Sequence, residues 1–579
     1  MKYIIGAYTH LTQGNSAEEF KKLLDSHLKP LLTLAFSNPD FRFVLRISVF
    51  FIQWLETNYP EINMLISDLC RKGQLELLGY SYYDSLLQLE PVHERPSRIE
   101  KTNTFLRKKF SRRPRGLWCI GQVFNPAFVQ AMEFSSLEFV IISGYNQQMN
   151  QVLINKPFVM DELGKQTVVF PSDDKVSREV SELTKPDSDR NRFVSSVMKT
   201  ITTQNTSLGT FMFNLDQMCL CDESSKLFNL LIPAVSKDTV LPSEYIATHD
   251  ITDNYYLPSG VYGRDFSLGK AVSINEHILK QRALSRNLNL LNIFRESAKG
   301  LKRNSDDKKL VDHLLMKAGS GVAYMPPFEL IPDVVAIEQR AMCELESALS
   351  QRDLLPLSVG SEVISKNRNY LCYINSKGAV ISRLSVFSLQ SDFAMTPALG
   401  LFQDSIRNGK TSDLGSRKWE LTAIDKKRHD FIASSPLIET GKTTVKVSKF
   451  IKTRQNSIIV DYEIENMGSD QSDFVFETLL NFSINSPEDL KDTEEPYQAS
   501  QIVLANAFEK IIVTIGLSEE FSVSVRNNFQ KVMTVLGEKN FYQYTSMKLQ
   551  KKLIIPASET VKFTVMFKSE KKRNTGETI

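Results

Sequence analysis

The first 270 residues alternate between two hydrophobic rhythms. Short apolar runs have the length and continuity of strands buried on both faces: KYIIGAY (2–8), FRFVLRIS (41–48), LELLGYSY (75–82), GLWCIG (116–121) and FVIISG (139–144). Between them lie helical stretches, from Ser16 to about Phe36, at 49–58 and 60–72, where Gly73 is a C-terminal stop, and at 92–110. A hairpin-like excursion, VLINKPFVMDELGKQTVVFPSD, precedes a helix at about 188–203 and a strand, LGTFMFNLD (208–216). Repeated strand–helix units with short connections predict a parallel sheet, open or closed.

The rhythm changes twice more. Residues from about 270 to 350 space their apolar positions as helices, as in HILKQRALSRNLNLLNIF and DVVAIEQRAMCELESALSQRD. After that, TVKVSKFIKT, SIIVDYEIEN, EKIIVTIGL, FSVSVRN and ETVKFTVMFK alternate with period two, which predicts an antiparallel β-sandwich of about 200 residues. The tail, SEKKRNTGETI, reads as disordered.

Composition narrows the function classes. A chain of 579 residues is too long for one core, so two to four domains are expected. Its net charge of +3 points to neither nucleic acid nor a membrane as partner. The six cysteines lie far apart, which fits a reducing compartment, and Cys219-x-Cys221 is too tight for the usual zinc pair. The N-terminus lacks a signal-peptide pattern, and Arg42 and Arg46 interrupt the most apolar window, so a soluble cytoplasmic protein is expected.

Candidate chemistry gathers at predicted strand ends, where a β/α fold presents its reactive side chains. His10 ends the first strand, whereas the other histidines are scattered. The basic run LRKKFSRRPRG (106–116) reads as a solvated helix end. Asp84 follows the third strand, Asp216 ends LGTFMFNLD and Glu76 begins the third strand. Paired carboxylates are what glycoside chemistry requires, and Tyr82, Tyr83 and Trp118 are aromatics that stack on sugar rings or fill a core. The stretch GLWCIGQVFNP (116–126) begins as a strand and ends in Asn125-Pro126, a helix-start signal, with Gly121-Gln122 between.

These segments together resemble glycoside hydrolase family 57, in its 4-α-glucanotransferase and α-amylase branch. The family opens on His-x-His-Gln-Pro; GAYTHLTQGN keeps His10, Gly14 and Asn15, with Tyr8 at the first histidine. GQLELLGYSYYDS is similar to the second motif, with Glu76 matching and Asp84 in place of a glutamate. In the third motif the nucleophile is a glutamate three residues after a strand tryptophan. Counting from Trp118, that place holds Gly121, followed by Gln122. The fourth motif is Asp-x-Glu, its aspartate the acid/base, and FMFNLDQ offers Asn214 and Asp216 there. Of the later Tyr-Trp-His segment, AYMPPFELIP keeps Tyr324.

The resemblance implies a distorted, TIM-like (β/α)7 barrel over 1–268, a helical subdomain over 269–356, a β-sandwich over 357–570 and a tail at 571–579. It also implies an α-glucan or maltooligosaccharide ligand and no metal or organic cofactor. His10, Glu76, Tyr83, Trp118, Gln122 and Tyr324 are the substrate-binding candidates, and Gly121 and Asn214 the degenerate catalytic positions. Three readings stand: a catalytically silent glycan-binding relative, an active enzyme using Asp216 and Asp84 as relocated acids, and a non-enzymatic scaffold. In each, a homo-oligomer or a protein partner is compatible.

Overall fold

A computed structural model describes the chain apart from residues 186–191, 204–205, 265–272, 327, 395–399, 426–429, 442, 485–491, 494, 507–510 and 572–579. Most of the expected disordered tail thus lies outside the described residues, but Ser569, Glu570 and Lys571 are ordered as the end of the last strand. The chain divides into two compact units. One comprises 1–284, 319–337 and 531–539, the other 285–318, 338–530 and 540–579.

Seven parallel strands build the first unit: β1 (Lys2–Tyr8), β2 (Phe43–Arg46), β3 (Leu75–Gly79), β4 (Gly116–Trp118), β5 (Phe139–Ser143), β6 (Lys165–Ser172) and β7 (Leu208–Asn214). Their spatial order is β7-β1-β2-β3-β4-β5-β6. The backbone N–H of Asp173, just after β6, donates to the carbonyl of Thr210 in β7 at 2.8 Å and joins the two ends of the sheet. The expected excursion is present, but its second arm is β6 itself; the first arm, Phe158–Glu162, pairs antiparallel on its outer side.

Helices appear where the apolar spacing and caps direct them. Ser16 caps Ala17–Leu23 in a reciprocal capping box with Glu19. Val49–Asn58 and Pro60–Arg71 match the two expected helices. Register sets the rim that matters most. Tyr8, at the end of β1, pairs with Asn214 on one side and Arg46 on the other.

In the second unit every described strand pairing is antiparallel. Thr443–Arg454 alternates buried and half-buried along its whole length, the pattern of a sheet with one face on a core. Part of the helical stretch packs on strands: Leu290, Leu315 and Leu345 share one apolar cluster with Ile364, Leu371 and Tyr373.

Candidate functional site

Four strand ends of the barrel converge on a polar network. Asp216, just beyond β7, accepts from the Thr9 hydroxyl at 2.5 Å and from the His10 backbone N–H at 2.6 Å. Arg46, the last residue of β2, donates to the Thr9 carbonyl and to the Asp84 carboxylate. Its guanidinium also lies 4.4 Å from the centre of the Tyr80 ring. The barrel therefore brings His10, Asp84 and Asp216 into one chain of contacts, with Arg46 at its centre.

The two aspartates are not equivalent. Both Asp84 and Arg46 are 1% exposed, and they form an ion pair sealed from solvent. Asp84 also has φ +52°, and its N–H donates to Ser81 at 2.8 Å, so a tight turn fixes it. Asp216 instead lines a cavity of about 300 Å³. Burial raises both carboxyls above the usual carboxylate range; Arg46 is the chief opposing influence at Asp84 and His10 at Asp216.

Asn214 has a structural occupation. Its Oδ1 accepts the N–H groups of Asp216 at 3.0 Å and Gln217 at 3.3 Å, capping the short helix Leu215–Met218. The turn after β4 is also committed. Gly121 and Gln122 have φ +62° and +54°, so two consecutive residues are left-handed. Gln122 is buried; its Oε1 accepts from the Ser143 N–H at 2.7 Å and its carbonyl from the Tyr262 N–H at 2.8 Å. That amide ties the end of β4 to the end of β5. Asn125 turns the chain through a 2.9 Å bond from the Ala127 N–H, and the expected helix starts later, at Phe128.

The aromatic candidates lie inside. The Trp118 ring packs 4.3 Å from the Tyr8 ring, and both are buried in the barrel. Tyr83 is buried against Phe50, and its carbonyl accepts from the Ser320 hydroxyl at 3.0 Å. Tyr324 is 1% exposed in the turn Gly321–Tyr324. This turn lies so close to the Asp84–Leu86 backbone that a Cβ on Gly321 would stand 2.1 Å from the Leu86 nitrogen.

Glu76 is not brought to the cluster. It sits near the opposite end of β3 from the rim, and its carboxylate accepts from the Ser243 N–H at 3.3 Å. Burial pushes its carboxyl up to about 7 against the Ser243 hydrogen bonds. The basic run 106–116 is largely paired, with Arg113 on Glu100 at 2.6 Å and Arg115 on Glu138 at 2.5 Å. Cys219 is buried 3.5 Å from the His27 imidazole, its thiol pushed up to about 12 by burial. Among the described residues no three His, Cys, Asp or Glu side chains are grouped to hold a metal ion, and no helix is long and apolar enough to cross a membrane.

Sequence reasoning missed three contributors. Arg46 stood out only as a charge inside an apolar run. Gln217 carried no signal. The third is the segment Lys531–Val535, which walls the cavity holding His10 and Asp216 from more than 300 residues further along the chain.

A seven-stranded parallel barrel with a polar cavity at its carboxyl rim defines the class. The model of glycosyl hydrolase family 57 matches residues 6–212, which lie within the barrel. Alpha-amylase 1 of Dictyoglomus thermophilum is 26% identical over 172 residues, covering 29% of this chain and 25% of that protein. An alpha-amylase of Pyrococcus horikoshii is 28% identical over 179 residues, 30% of this chain and 28% of that one. The 4-alpha-glucanotransferase of Thermococcus litoralis is 24% identical over 179 residues, 30% of this chain and 27% of that one. The matches thus span only about a quarter of the length of these relatives. The crystal structure of the Thermococcus litoralis 4-alpha-glucanotransferase superposes on 98% of this chain and 99% of its own, with a TM-score of 0.78 at 16% identity. The whole chain therefore has that fold: a parallel α/β domain, a helical region and a large antiparallel β domain.

Proposed function

We propose that this protein binds α-glucans at the barrel rim and does not turn them over by the retaining route. The observation that carries this reading is the Arg46–Asp84 ion pair, which seals one of the two rim aspartates from solvent. Retaining glycosidases hold two carboxyl groups about 5 Å apart across the scissile bond, one attacking and one donating a proton. By the motif frame, Gly121 occupies the attacking position and Asn214 the proton donor's. An amide is no general acid, and the Asn214 oxygen is already committed to two backbone N–H groups. Asp216 reaches the cavity without Asp84 as an available partner. His10, Asn15, Asn214 and Gln217 around that cavity supply the hydrogen-bonding groups a sugar requires.

The test is incubation of purified protein with maltoheptaose and amylose, products followed by chromatography and binding by titration calorimetry. Binding without new saccharides is expected. Transfer or hydrolysis that disappears in Asp216→Asn would establish the relocated-acid enzyme instead. Absence of both binding and turnover would favour a scaffold.

A further inference from the structure

Gln217 follows Asp216 and lines the same cavity. The residue is only 9% exposed, and its Oε1 has no hydrogen-bond partner among the described residues. An unpaired buried acceptor carries an uncompensated desolvation cost, which a ligand hydroxyl would relieve. The wall contributed by Lys531–Val535 is different in kind. It is the end of the strand Ile511–Thr534 and the first residue of the turn to Gly537–Ile555, and it lines the cavity with Val532, Met533 and Val535 beside Lys531 and Thr534. The turn is self-braced: the Thr534 hydroxyl donates to the Gly537 carbonyl at 3.0 Å and accepts from the Leu536 N–H at 3.2 Å.

A polar floor under a mainly apolar wall matches a pyranose, which carries hydroxyls at its edge and C–H groups on its faces. The cavity holds about 300 Å³. Since a cavity of roughly 150 Å³ takes one benzene, and a glucosyl unit has nearly twice benzene's heavy atoms, this space takes about one sugar unit.

We propose that the cavity receives the end of an α-glucan chain to a depth of about one sugar unit. Gln217 Oε1 accepts a sugar hydroxyl, and the Lys531–Val535 segment stops the chain from running through. This rests on the glucan-binding reading and adds to it a requirement for a free chain end.

Calorimetry with maltose, maltoheptaose and β-cyclodextrin on the full chain tests it. The two linear sugars are expected to bind with similar affinity and the cyclic one at least about tenfold more weakly, since it has no end to insert. Gln217→Leu is expected to weaken maltose about tenfold while the Tm stays level or rises, because the variant deletes an unpaired buried oxygen. A purely structural role for Gln217 would lower the Tm instead. β-Cyclodextrin binding as tightly as maltoheptaose, or unchanged maltose affinity in Gln217→Leu, would overturn the chain-end cavity and leave glucan binding standing. If none of the three sugars binds, the glucan reading falls, and the chain-end proposal with it.

Discussion

Arg46 decides what the rim aspartates can be. It closes β2 with a charge, and its partner Asp84 is 38 residues away in sequence, so neither residue alone signals the pair. Removing one member of a buried pair leaves the other charge uncompensated. Arg46→Met is therefore expected to lose about 3–5 kcal/mol in urea unfolding, and adding Asp84→Leu to recover most of it. Gly121 makes a second test. A side chain at φ +62° pays roughly 1–2 kcal/mol for the left-handed backbone, so Gly121→Glu should unfold at lower denaturant and gain no turnover. The motif frame predicts which residue belongs at 121 but not the backbone that now occupies that position. Glu76 gives a pH signature. Its carboxyl rises from about 4.5 to about 7 on folding, so the folded state holds the proton more tightly. Stability should fall as pH rises from about 4.5 through 7 and then level off, by on the order of 3 kcal/mol, and Glu76→Gln should remove that slope.

At the level of elements, the barrel strands are the most legible part of the sequence, because strands buried on both faces read as continuous apolar runs. The strap from Gly319 to Ile337 is less so, since its placement depends on close backbone approach rather than periodicity. Gly321 is where that approach is tightest, and Gly321→Ala should cost about 1–3 kcal/mol in thermal unfolding by forcing the turn away from Asp84–Leu86. The candidate site is legible only in part for a similar reason. His10 and Asp216 are found at strand ends, as the barrel rule expects. Gln122 and Trp118 have the right sequence position, yet they are spent on holding β5 and filling the barrel. The Lys531–Val535 segment ends a long two-residue alternation, and nothing local marks it as a wall of a cavity beside His10.

At the scale of the whole molecule, domain order and fold follow the glucanotransferase architecture across nearly the full chain. In the proposed reading, the chemistry at the rim is what departs from it. The central claim is that the barrel has no carboxylate able to attack an anomeric carbon, and α-maltosyl fluoride tests that claim directly. Fluoride leaves without a proton, so the asparagine at 214 does not limit the reaction and only a nucleophile is required. Purified protein should release fluoride no faster than buffer does. Release well above that background, abolished in Asp216→Asn, would contradict the account.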